Sequence, residues 1–196
     1  MSNLKKIQTR NSYLVIRDSD SRGFTLLEAL VSIFILTLTI VAPMSIASST
    51  LFQATVAKEQ VTAFYLAQEA IEGVRSIRDG NVLKGGEWLT GLGAAGGISL
   101  GPCIGQDCRI DVVSNPVSVV SCGACTTPIN YNSSTHLYQY SSIGSSNQPS
   151  NFIRTVRIDS IPSNPSNEVS ISVTVSWNIG KISRTFVARE NIFNWQ

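Results

Sequence analysis

Between Phe24 and Ala42 the chain reads FTLLEALVSIFILTLTIVA, nineteen residues carrying a single charge, Glu28. A helix of that length reaches roughly 29 Å at about 1.5 Å per residue, which matches the hydrocarbon core of a bilayer. The flanks are unequal. Residues 1–23 hold five cations (Lys5, Lys6, Arg10, Arg17, Arg22) and two anions (Asp18, Asp20), and the totals of 15 Lys+Arg and 13 Asp+Glu leave ten cations against eleven anions for everything after them. Because cations are retained on the cytoplasmic side, the N-terminus is expected inside and the chain beyond Ala42 outside.

The rest of the composition narrows the function class. With 43% apolar and 14% charged residues the chain folds, and a net charge of +2 without clustered positive excess predicts no nucleic-acid partner. One His and no nucleophile–base pair leave little to build an enzyme from. The expectation is a protein without catalytic residues, cofactor or metal.

Three readings compete for the apolar run. A secretory signal peptide would use Ser45-Ile46-Ala47 as a small-x-small cleavage site, but signal h-regions run about 7–15 residues and seldom hold a carboxylate. A plain anchor leaves Glu28 unexplained, since an acidic residue in a spanning helix costs about 2–3 kcal/mol. The third reading starts from Arg22-Gly23-Phe24-Thr25-Leu26-Leu27-Glu28 followed by the apolar helix. This segment resembles the processing motif of type IV prepilins and of the pseudopilins of type II secretion.

The resemblance implies that a prepilin peptidase cuts the Gly23–Phe24 bond and methylates the Phe24 amine, and that Glu28 is the assembly carboxylate. The spacing also has a direct physical sense. Cleavage creates a cationic amine four residues, about one helical turn, from Glu28 at the edge of an apolar rod. Unpaired charges are costly there and opposite charges attract strongly, so a neighbouring subunit's amine suits Glu28 and sets axial register. Pairing of Glu28 with its own Phe24 amine is the competing geometry. The implied partners are the peptidase, other pilin or pseudopilin subunits through the N-terminal helix, the inner-membrane assembly platform and the lipid bilayer. The implied localisation is a single-pass inner-membrane protein with an exported head, and later a filament. A minor or initiating pilin of a type IV pilus is the leading reading. A type II secretion or competence pseudopilin is the alternative, and an anchored or secreted binding protein is the rival of a different class.

Pro43 removes the hydrogen bond to the Thr39 carbonyl, which predicts a kink. Beyond it Phe64, Ala67, Ile71 and Val74, with Leu66, Ala70 and Ile77, form an apolar stripe among charges. The stretch Tyr65–Asp79 also resembles the head-proximal helix of minor pilins and pseudopilins. Asp79-Gly80-Asn81 predicts the helix stop, with Gly80 as the left-handed residue.

After Asn81 the composition turns to Gly, Ser, Asn and Thr with short β-branched runs. Val169, Ile171, Val173, Val175 and Trp177 alternate with hydroxylated residues, so Glu168–Trp177 reads as a half-buried strand. Asn178-Ile179-Gly180 turns it into Ile182–Ile192, and Phe152–Ile161 precedes it. The fold class is therefore α+β, a long N-terminal helix whose amphipathic half covers a C-terminal antiparallel sheet. The expected divisions are a basic leader (1–23), a membrane and filament-core helix (24–43), an amphipathic helix (44–80), a Gly/Ser/Cys-rich variable region (81–150) and the sheet (151–196).

Other motifs carry less. Gly91-Leu92-Gly93-Ala94-Ala95-Gly96 spells GxGxxG without the strand and helix that a dinucleotide fingerprint needs, and reads as a loop. Cys103, Cys108, Cys122 and Cys125 would suggest zinc in cytosol but disulfides in an exported segment. A redox Cys122–Cys125 pair lacks its βαβ setting. With Ser114-Asn115-Pro116 as a three-residue loop, Cys108 would face Cys122 across a hairpin, leaving Cys103 for Cys125; the local pairing Cys103–Cys108 with Cys122–Cys125 is the competitor. His136 reads as a surface residue, and Tyr138–Tyr140 as strand packing, with adhesion as the minority reading.

Overall fold

The structure is a computed structural model that describes residues 23–140 and 146–194. Of the expected leader (1–23), residues 1–22 lie outside the described residues. The chain divides into two units, Met1–Ser49 and Thr50–Gln196.

In the first unit the backbone is helical from Leu26, where α1 (Leu26–Leu83) begins. Thr25 is its N-cap: its Oγ1 accepts from the Glu28 N–H at 3.2 Å, and its carbonyl accepts from Ala29 N–H at 3.1 Å. The apolar side chains here are exposed around the whole helix, among them Leu27, Leu30, Phe34, Leu38 and Val41. α1 is long and apolar enough to cross a membrane, and none of its most apolar stretch is buried. A helix apolar on every side has no solvated face to present to water, so this unit requires lipid or other helices as its surroundings.

The second unit holds the core. Ala63, Leu66, Ala67, Ala70, Ile71, Val74 and Ile77 of α1 are buried against a sheet, at spacings of three and four that make one face of a helix. Phe64, expected in this stripe, sits at its margin, 49% exposed, with its ring edge-to-face on Phe186. Strands β1 (Asp107–Asp111) and β2 (Ser118–Ser121) join β6 (Ile153–Ser160), β7 (Glu168–Ile179) and β8 (Ile182–Phe193) in one sheet of order β2-β1-β6-β7-β8. Every pairing is antiparallel. The alternation in β7 is realised: Val169, Ile171, Val173, Val175 and Trp177 are buried. Its register with β6 puts Val156 opposite Val173 and Ile158 opposite Ile171.

The β7–β8 turn is tighter than expected. Ile179 pairs with Ile182, so Gly180-Lys181 forms a two-residue hairpin with Gly180 at φ 61°. A positive φ at the first turn residue is the geometry that glycine supplies without steric cost. A second sheet, unforeseen in the sequence, comprises β3 (Asn130–Asn132), β4 (Tyr138–Gln139) and β5 (Asn147–Pro149) in the order β4-β3-β5. Tyr138 packs as strand reading implied, edge-to-face on Phe152.

The helix stop differs from expectation by four residues. α1 runs to Leu83, and the left-handed residue is Gly85 at φ 72°, not Gly80. Gly86 N–H donates to Asn81 O and Gly85 N–H to Val82 O, the paired bonds of a Schellman ending. The reason is the Asn81 side chain. It is buried, donates to the carbonyls of Trp88 and Ile98, and accepts from Ile98 N–H at 2.9 Å, which satisfies all the polar atoms that another conformation would leave to water. The GxGxxG stretch lies in turns after this ending, with neither a strand before it nor a helix opened by it.

The nested cysteine pairing is overturned. The disulfides are Cys103–Cys108 and Cys122–Cys125, with Cα separations of 4.9 and 5.1 Å. Register is the cause: Cys108 stands opposite Ser121, and the loop between β1 and β2 is 112–117 rather than three residues. Since side chains alternate faces along a strand, a slip of one residue turns Cys122 away from Cys108.

Candidate functional site

Gly23 and Phe24 lie just before the first helical turn, outside regular structure and exposed. Nothing approaches within 4 Å of where a Cβ on Gly23 would sit. The cap at Thr25 sets this boundary, because it fixes helical geometry from Leu26 on while leaving the Gly23–Phe24 peptide outside the helix. Thr25 was not singled out in the sequence. Its signal was present all the same, since Thr25-Leu26-Leu27-Glu28 has the S/T-x-x-E spacing of a helix start.

Glu28 is exposed in the first turn of α1, three residues past its cap. Its backbone N–H is used by Thr25, and its carboxylate has no ion-pair partner among the described residues. A carboxylate in the first turn is favoured by the positive end of the helix dipole. Around it Leu26, Leu27, Leu30 and Val31 are exposed apolar neighbours. The arrangement is thus one anion in an apolar surface, one turn from a peptide bond open to attack. Pro43 lies within α1. Among the described residues no three His, Cys, Asp or Glu side chains gather as metal ligands.

Residues 18–42 match the prokaryotic N-terminal methylation motif. That motif is the signature of type IV prepilins and pseudopilins, and it covers the leader's last residues, Gly23, Phe24, Glu28 and the apolar run. The chain is thus pilin-like at its N-terminus and α+β beyond. The apolar helix and the motif together fit an inner-membrane-anchored precursor. No curated protein and no solved structure matches the chain.

The remaining sequence candidates are scattered. His136 is exposed, takes a left-handed φ of 59°, and its Nδ1 lies 2.8 Å from the Tyr131 hydroxyl. Cys108 lies in β1, and Cys103, Cys122 and Cys125 lie outside the β1–β2 hairpin. Arg154, unremarked in the sequence, is the largest fully buried side chain. Its guanidinium donates to Leu66 O of α1 at 2.9 Å and Ile110 O of β1 at 2.7 Å, and it lies 3.3 Å from Glu69. The available signal was phase, as Arg154 falls on the same strand face as Val156 and Ile158.

Proposed function

We propose that this chain is a prepilin-type structural subunit, cut between Gly23 and Phe24, methylated on the new Phe24 amine, and assembled through its apolar helix into a type IV pilus as a minor or initiating subunit. The observation that carries the reading is the methylation motif at 18–42 running directly into a helix apolar on all sides. The exposed, non-helical Gly23–Phe24 bond supports access for a peptidase at the cytoplasmic face. Before cleavage the helix resides in the inner membrane with the leader inside and the head exported. After cleavage the same apolar surface exchanges lipid for neighbouring helices. Glu28 then finds its cation in the Phe24 amine of an adjacent subunit, a charge pair strengthened by low dielectric. The role is mechanical and architectural rather than catalytic.

The intact mass of the protein recovered from membranes tests this. It should correspond to residues 24–196 bearing one added methyl group, and Gly23→Leu should retain the leader. Recovery of the uncut chain from cells that contain the peptidase, or a terminus elsewhere, overturns the proposal.

A further inference from the structure

The outer face of the β1–β2 hairpin, opposite to the side covered by α1, carries a cavity of about 310 Å³ lined by Arg109, Asp111, Ser114, Ser118, Val120 and Tyr140. The register builds it. Arg109 stands opposite Val120, and Asp111 opposite Ser118, so two directly opposed pairs present their side chains on one face. Tyr140 closes one side, locked by its own polar atoms: its N–H donates to Asp111 Oδ2 at 2.9 Å and its hydroxyl to Arg154 O at 3.0 Å. Burial chiefly raises the Tyr140 phenol above its ordinary value, against the opposing charge of Arg154, so the hydroxyl remains a donor.

The charged groups in the cavity differ in what they have left to offer. Asp111 is buried, and its other oxygen already accepts from the N–H groups of Val113 and Ser114. It retains acceptor capacity for a hydroxyl donor. Arg109 has its guanidinium 5.4 Å from the centre of the Tyr140 ring and no acceptor paired with it among the described residues. Its Nε is closed off from solvent without a hydrogen bond. A guanidinium held over an aromatic ring is pre-organised by the cation–π attraction, and its N–H donors match a planar carboxylate. Ser118 supplies a hydroxyl, and Val120, 46% exposed, an apolar flank.

We infer that this cavity binds a polyhydroxylated carboxylic acid of monosaccharide size, a sugar acid whose carboxylate pairs with Arg109 and whose hydroxyls reach Asp111 and Ser118. The volume lies at the lower end of small-molecule sites, which suits one ring rather than a chain. The inference stands on the head alone and does not depend on processing or filament assembly.

Calorimetric titration of the full chain in detergent micelles tests it, with glucuronate, glucose and acetate as probes. Glucuronate should bind once per chain, and glucose and acetate about tenfold or more weakly, since each lacks one half of the recognised chemistry. Arg109→Gln should reduce glucuronate affinity to the level of glucose. Val120→Glu, on an exposed cross-strand neighbour of Arg109, supplies a resident carboxylate and should abolish glucuronate binding while leaving thermal unfolding unchanged. No detectable glucuronate binding to the wild-type chain, equal binding of glucose, or undiminished affinity in both variants overturns the inference.

Discussion

Arg154 illustrates how a single residue can hold two layers together. It sits in phase with Val156 and Ile158 on the covered face of β6, 1% exposed, and directs its donors at carbonyls of α1 and β1. Without it those layers would meet across a polar gap, because Ile110 O would lose a side-chain donor and Glu69 the cation 3.3 Å away. Breaking a buried charged contact costs more than replacing it with a well-packed apolar group. Arg154→Ala should therefore destabilise the head by about 3 kcal/mol, whereas Arg154→Met, which fills the volume, should lose less. Denaturant unfolding of the two variants in the same detergent measures this, and an alanine variant within about 0.5 kcal/mol of wild type contradicts the clamp.

Among the elements, the C-terminal part of α1 is shaped by what must approach it. Gly73 faces the β1–β2 hairpin so closely that a Cβ there would lie 2.3 Å from Val112 Cγ1, while a Cβ on Gly80 would meet nothing within 4 Å. Both glycines cost helix propensity, about 1 kcal/mol each relative to alanine. At Gly73 that cost is offset by the close packing of the hairpin, and at Gly80 nothing in the packing requires it. Gly80→Ala is expected to stabilise by up to about 1 kcal/mol, and Gly73→Ala to destabilise by about 1–2 kcal/mol through overpacking. Adding Val112→Ala should recover part of the Gly73→Ala loss. Thermal unfolding of the set decides the matter: equal effects of the two alanines would show that the hairpin yields freely.

For the whole molecule the proposed function requires one chain to serve both lipid and assembly. Among its described residues the first unit presents apolar side chains on every side and one carboxylate, Glu28, and the second encloses its own core. Insertion and folding can therefore proceed without Glu28. Glu28→Ala keeps the Thr25 cap, which uses the backbone N–H and not the carboxylate, and removes a charge costly in hydrocarbon. Its membrane insertion should equal or exceed that of wild type, while its recovery in sheared filaments should fall about tenfold or more if a desolvated ion pair is lost. Normal recovery of the variant in filaments would remove Glu28 from the assembly mechanism.

Where a pattern is local, the amino-acid sequence alone determined the outcome. The apolar run specified a helix needing lipid or partners, the residues around Gly23 and Phe24 carried the N-terminal methylation motif on which the proposed processing rests, and strict alternation from Val169 to Trp177 specified which strand face is buried. Period and composition carry that information because each side chain's direction follows from its place in a helix or strand. Tertiary structure decided what depends on distant segments meeting. Asn81 prolongs α1 because a loop seventeen residues later, at Ile98, supplies its partners. Arg154 is buried because two carbonyls from other elements await it. The cysteines pair locally because the hairpin chose Cys108 opposite Ser121, a register that the loop and the packed face of Ile110 and Val119 select together. A shift of one residue reverses every side chain on a strand, and only the assembled core can tell the two registers apart.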